Sequence, residues 1–138
     1  MIVLDASATV ELLLGTALGD VVAARVSGEG ETLHAPHLID VEVAQVIRRF
    51  VLQGKLDGAR AFAALRDLVD LGFTRYPHDV LLERVWQLHK NVSAYDAVYL
   101  ALAEALAVPL VTTDPRLSRT LGHDAAIELV AVVRASST

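Results

Sequence analysis

Four acids stand where apolar runs stop or helices begin: Asp5, Glu42, Asp96 and Asp114. Asp5 follows the apolar run 1–4 directly, and Asp114 comes just after the run 110–112. Asp96 falls in the first turn of an alanine-rich helical stretch, and Glu42 in the second turn of another. In a parallel α/β fold, the carboxyl ends of the strands form the usual ligand crevice. All four are therefore expected at one edge of a sheet, converging on a common point. Gathered carboxylates repel one another and raise at least one pKa. A hard cation relieves that repulsion, and an all-oxygen donor set suits Mg²⁺ or Mn²⁺ better than zinc. Such a centre can deprotonate water, align it with a phosphodiester and stabilise charge on the phosphoryl group.

Each acid also has a purely structural reading. Ser93-Ala94-Tyr95-Asp96 has the spacing of a capping box. Asp114-Pro115 reads as an N-cap followed by proline at the first helical position. Asp5 could cap the helix that follows it, where a carboxylate is favourable in any case. Spacing alone does not choose between capping and chemistry. Glu42 weighs more, because Val41, Val43, Ala44, Val46 and Ile47 surround it and place it on or beside the buried side of its helix. Asp40 lies about 200° around the same helix and is expected to face water. No basic residue sits three or four positions from Glu42. A half-buried carboxylate needs compensation. That leaves a remote arginine or a cation shared with the other acids.

The elements that must position these side chains alternate along the chain. Strands are expected over residues 1–4, 32–35, 73–76, 110–112 and 127–132. Helices are expected over 7–14, 20–26, 38–52, 57–71, 78–90, 93–106 and 115–121. Short strands separated by helices imply a three-layer α/β sandwich with a mostly parallel central sheet. At 138 residues there is room for one domain, read as 1–134, with 135–138 as a frayed polar tail. A hydrophobic fraction of 54% with only 5% aromatics requires an aliphatic core and excludes disorder. The absence of cysteine removes disulfides, thiolate nucleophiles and Cys-based zinc sites together. The apolar start carries Asp5 and Glu11 and no basic leader, so neither a secretion signal nor a membrane span is expected. The chain reads as a cytoplasmic protein.

A net charge of −5 argues against a basic coat for DNA or membranes, yet not against a nuclease whose own metal ligands are acidic. Setting the four acids aside leaves the remaining charge close to balance. Among the bases, Arg49 shares a helix face with Glu42, and Arg116 follows Asp114. Either could meet an RNA phosphate, and Arg116 could instead pair with an acid. His34, His37, His78, His89 and His123 do not form a ligand set. Tyr95, Tyr99 and Trp86 could stack bases, although core or dimer contacts suit them as well.

Four blocks together carry a resemblance. Leu4-Asp5-Ala6-Ser7, Leu38-Ile39-Asp40-Val41-Glu42-Val43, Ser93-Ala94-Tyr95-Asp96-Ala97 and Val111-Thr112-Thr113-Asp114-Pro115-Arg116-Leu117 occur in the order found in PIN domains. The sequence most resembles the VapC toxins of bacterial and archaeal toxin–antitoxin pairs. The resemblance implies a metal-dependent endoribonuclease, usually a homodimer, held inactive by a small antitoxin. It implies Asp5 and Asp96 as principal ligands of Mg²⁺ or Mn²⁺, with Glu42 and Asp114 binding directly or through water. Ser7 and Thr112, with Thr113 as the alternative, would support the carboxylates. Promoter DNA would be bound only through the antitoxin complex.

Two other classes fit less of the chain. An aspartate-nucleophile phosphoryl-transfer enzyme wants a second Asp two residues after Asp5, where Ser7 stands, and a late lysine that is missing. A catalytically silent α/β interaction domain would use Asp96 and Asp114 as caps and pair Glu42 with an arginine.

Overall fold

The computed structural model describes residues 1–132. Strand β1 (Ile2–Leu4) is followed by helices α1 (Ala6–Leu14) and α2 (Ala17–Val26), which return the chain to β2 (Leu33–Pro36). Helices α3 (Leu38–Leu52) and α4 (Gly58–Asp70) lead to β3 (Thr74–Tyr76). A 3-10 turn (Asp79–Leu81), α5 (Leu82–Gln87) and α6 (Ala94–Leu106) then lead to β4 (Leu110–Thr112). The short α7 (Pro115–Ser118) and β5 (Ile127–Leu129) follow. The sheet order is β3-β2-β1-β4-β5, and every neighbouring pair is parallel. Helix α1 packs on α2, α3 and α4, whereas α6 packs on β1, β2 and β4 with α5 against it. This is the three-layer sandwich expected from the sequence, with a sheet parallel throughout.

The centre of the sheet explains the apolar start. Ile2, Val3 and Leu4 have no solvent exposure, as a parallel strand covered on both faces requires. From β1 the chain winds outward to β2 and β3, then crosses to the other side for β4 and β5. A parallel sheet opens a crevice where its winding direction reverses, at the carboxyl ends of the two strands. Here those strands are β1 and β4. Their register pairs Leu4 with Val111, so Asp5 and Thr112 emerge side by side.

Several boundaries differ from the sequence reading, for local reasons. Helix α2 starts at Ala17 because Thr16 caps it, its hydroxyl oxygen accepting from Gly19 N–H at 3.0 Å. The helix expected over 78–90 is a 3-10 turn followed by a short α5. Leu88 N–H bonds the Arg84 and Val85 carbonyls at 3.2 and 3.1 Å, which tightens the last turn and sends Leu88 into the core. The strand expected over 127–132 spans three residues, because β4 offers only Leu110–Thr112 to pair with. Helix α7 ends at Ser118 instead of 121. The tail 135–138 lies outside the described residues. Among the described residues, no single helix is long and apolar enough to cross a membrane.

Candidate active site

Asp5 is the end of β1 and the N-cap of α1 at once. Its Oδ1 accepts from Ala8 N–H at 3.0 Å and from Ser7 Oγ at 2.7 Å, and its Oδ2 accepts from Thr112 Oγ1. Each hydroxyl is oriented by a backbone donor from the β4–α7 turn. Thr113 N–H donates to Ser7 Oγ at 3.1 Å, and Asp114 N–H donates to Thr112 Oγ1 at 3.0 Å. Ser7 and Thr112 therefore both accept from the main chain and give their single proton to Asp5. Thr112, not Thr113, is the threonine that meets the carboxylate. A carboxylate offers about four lone-pair directions, and three are used here, so about one remains on Oδ2. The capping reading of Asp5 is correct and incomplete: the cap fixes Oδ1 and leaves Oδ2 with spare capacity.

Glu42 has no arginine. It takes part in none of the ion pairs among the described residues, and its Oε1 is buried without a hydrogen-bond partner. The silent-domain reading required the opposite. Glu42 instead lines a cleft of about 430 Å³ with Val41, Gln45, Arg49 and Tyr95. Arg49 thus shares the Glu42 face, as its spacing suggested. Asp40 does turn away from the other acids, but it does not simply face water: Arg75 of β3 grips it with two bonds of 2.8 Å.

Asp96 and Asp114 keep their local roles as well. Ser93 Oγ accepts from Asp96 N–H at 3.3 Å, and Asp114 Oδ1 accepts from Arg116 N–H at 2.9 Å. Asp96 lines a second cleft, of about 370 Å³, with Asn91, Ser93, Arg116 and Thr120. Arg116 folds back onto Asp114, with Nε and Nη2 at 3.3 and 3.2 Å from the carboxylate. The arginine after Asp114 is therefore that acid's own counter-ion. The histidines stay outside this arrangement; His34, for example, spends both ring nitrogens on Thr32 and Tyr76 at 2.7 Å.

The acids sense one another. Burial raises the Asp5 pKa; three hydrogen bonds oppose the shift and Asp96 adds repulsion. Burial also raises Glu42, with further repulsion from Asp96 and Asp5, while Tyr99 opposes it. Asp96 is raised by burial and by Asp114, against Arg116 and Ser93. Asp114 is the exception. Burial would raise it, but Arg116 and then Arg119 outweigh that and hold it below the usual carboxylate range.

Among the described residues, no three acids or histidines stand close enough together to hold an ion between them. The expected convergence on one point is thus looser than a closed cage, and Asp114 is turned to its arginine. Mg²⁺ does not need a cage, because it keeps several waters and takes one or two carboxylates directly. An oxygen-only donor set, an orphaned buried Glu42 oxygen and spare capacity on Asp5 fit that requirement.

Stability without metal should carry the signature of these shifts. Asp5, Glu42 and Asp96 bind a proton more tightly folded than unfolded. Their contribution to stability is full below the unfolded pKa and is lost as pH rises through the raised folded values. Asp114 has the reverse sign. In chelator, Glu42→Gln is expected to melt a few degrees above the wild type at about pH 7 and to match it near about pH 4, where Glu42 is largely neutral. Thermal melts across that range check it.

A family model described as PIN domain matches residues 2–122. The chain belongs to the PIN-domain family. Its relatives within that family are named VapC ribonucleases. The chain is 44% identical to Ribonuclease VapC12 of Mycobacterium tuberculosis over 131 residues, 95% of this chain and the whole of that protein. It is 47% identical to VapC ribonuclease Mb0985 of Mycobacterium bovis over 120 residues, 87% of this chain and 91% of that one. The crystal structure of PAE2754 from Pyrobaculum aerophilum superposes with a TM-score of 0.66 at 25% identity, covering 91% of this chain and 81% of its own.

Proposed function

We infer that this chain is an endoribonuclease of the VapC type, the toxin of a toxin–antitoxin pair, and that it hydrolyses RNA phosphodiester bonds with Mg²⁺ or Mn²⁺. One structural observation carries the reading beyond its relatives' names. A buried, unpaired Glu42 oxygen lies in the electrostatic reach of Asp5 and Asp96, at the crevice where the sheet reverses. A divalent cation from solution would supply the compensation that no protein cation gives this carboxylate.

Asp5 and Asp96 are assigned as direct ligands, with Glu42 and Asp114 binding directly or through water. A bound cation supplies Lewis acidity and neutralises charge on the phosphate. Ser7 and Thr112 hold the Asp5 carboxylate in one orientation, and through Thr113 and Asp114 N–H they tie it to the end of β4. Arg49, in the Glu42 cleft and free of any ion pair among the described residues, is the better contact for an RNA phosphate. Arg116 moderates Asp114 instead. Mg²⁺ is the favoured ion, on donor type alone.

The partners follow the same reading: a cognate small antitoxin, a second copy of the chain as homodimer, and promoter DNA only through the antitoxin complex. A cytoplasmic location belongs to the same reading, since the RNA substrate would be met there. The deciding experiment incubates purified protein with mixed RNA in Mg²⁺, in Mn²⁺ and in EDTA. Cleavage is expected with either ion, absent in EDTA, and restored by excess Mg²⁺. Cleavage undiminished by chelation rules the mechanism out.

A further inference from the structure

Among the described residues, two buried side-chain polar atoms have no hydrogen-bond partner: Glu42 Oε1 on α3 and Tyr99 Oη on α6. Tyr99 comes three residues after Asp96, one helical turn along and on the same face of α6. It is 1% exposed and among the largest fully buried side chains of the core. Packing explains the ring but not the hydroxyl. Phenylalanine would fill the same space without leaving a buried donor unpaired, an arrangement proteins generally avoid.

The hydroxyl has a neighbour. Burial and then the Glu42 charge hold the phenol protonated, and the phenol in turn favours the ionised form of Glu42. A protonated phenol is a donor, and a carboxylate is an acceptor. The last torsion of a glutamate is broad, so the Glu42 carboxylate can turn to receive that proton at little cost. Two orphans, one from α3 and one from α6, thus complement each other in chemistry, and each is felt by the other.

We propose that Tyr99 is a positioning residue, whose hydroxyl donates to Glu42 directly or through one water and fixes the carboxylate in the orientation that receives the divalent cation. The proposal rests on the metal-dependent reading above. It gives α6 two tasks one turn apart, supplying Asp96 to the site and holding the acid that arrives from α3.

The test is Tyr99→Phe, with Mn²⁺ binding followed by electron paramagnetic resonance in the absence of RNA. Mn²⁺ affinity is expected to fall about 10- to 100-fold, the usual loss when the hydrogen-bond partner of a ligand is removed. The melting temperature in EDTA should fall only slightly, because the ring that fills the core is kept and a single hydrogen bond is lost. With RNA, kcat should drop while KM stays unchanged. In a Glu42→Gln background, Tyr99→Phe should make no further difference to Mn²⁺ binding. Equal Mn²⁺ affinity in Tyr99→Phe and wild type, or losses that simply add in the double variant, overturns the proposal and leaves metal dependence standing. A wild type that neither binds Mn²⁺ nor loses cleavage in EDTA removes both. If Tyr99→Phe melts too low to assay, Glu42→Asp withdraws the carboxylate from the phenol while keeping its charge. It carries the same expected weakening, and full Mn²⁺ binding by it counts against the proposal.

Discussion

Asp5→Asn is expected to lower kcat/KM for RNA by at least about a thousandfold, or roughly 4 kcal/mol of transition-state stabilisation, without unfolding the protein. Asparagine has the size of aspartate, and the network around position 5 can accept its amide. Its oxygen would take the place of Oδ1, where Ser7 and Ala8 donate at 2.7 and 3.0 Å. Its NH₂ would then face Thr112, whose hydroxyl can rotate to accept. The lost property is the negative charge on the Oδ2 side, where the carboxylate has a lone pair left for a cation. Burial already disfavours that charge, so removing it does not weaken the metal-free fold. Cleavage rates at saturating Mg²⁺, beside thermal melts in EDTA, separate the two effects. A variant that melts like the wild type and cleaves within about tenfold of it would show that Asp5 is a helix cap and nothing more.

That separation matters because the cap and the proposed ligand are the same residue. The sequence already placed Asp5 and Asp114 just after apolar strands, and the reversal of the sheet puts the ends of those two strands, β1 and β4, at the crevice. Those features are local: strand ends, capping positions and helix phase are legible from neighbours. The contacts that finish the site are not. Ser7 and Thr112 reach the same carboxylate from positions 105 residues apart, and only the β1–β4 register makes Thr112 the one that arrives. Two adjacent threonines look alike in sequence because both carry the needed hydroxyl. Asp40 was expected to face water from its helix phase, but phase does not show that Arg75 reaches it from a strand 35 residues away. Tyr99 was read as a core or stacking aromatic, and its ring is core. The meaning of its hydroxyl depends on α3 and α6 bringing Glu42 to it. A signal was present in the phase, since Tyr99 shares a face with Asp96, but phase does not name a partner. Arg116 was the opposite case. Its partner Asp114 lies two residues back, so pairing was already among the alternatives.

Gly19→Ala is expected to be the most damaging single methyl in the described chain. Gly19 lies in the first turn of α2, which leaves α1 at a bend of 107°. A Cβ built at Gly19 would lie 2.0 Å from the Glu11 carbonyl oxygen and 2.7 Å from its carbon. Both are main-chain atoms of α1, so no side-chain rotation relieves the overlap, and the two helices must separate. The same movement strains the Thr16 cap, which holds Gly19 N–H at 3.0 Å. Overpacking of this kind costs about 3 kcal/mol at the upper end of its usual range, and in a chain of this size that lowers the melting temperature by roughly 10 °C. Gly28→Ala is the control, because its Cβ would meet only the flexible Glu31 Cγ at 3.2 Å. It should melt within about 2 °C of the wild type. Because α1 carries Ser7 in its first turn, a displaced α1 also loosens the hydroxyl that orients Asp5. Gly19→Ala should therefore lose cleavage at temperatures below its own melting transition, whereas Gly28→Ala keeps it. If both variants melt together, α1 and α2 do not approach this closely in solution, and their junction does not brace the site.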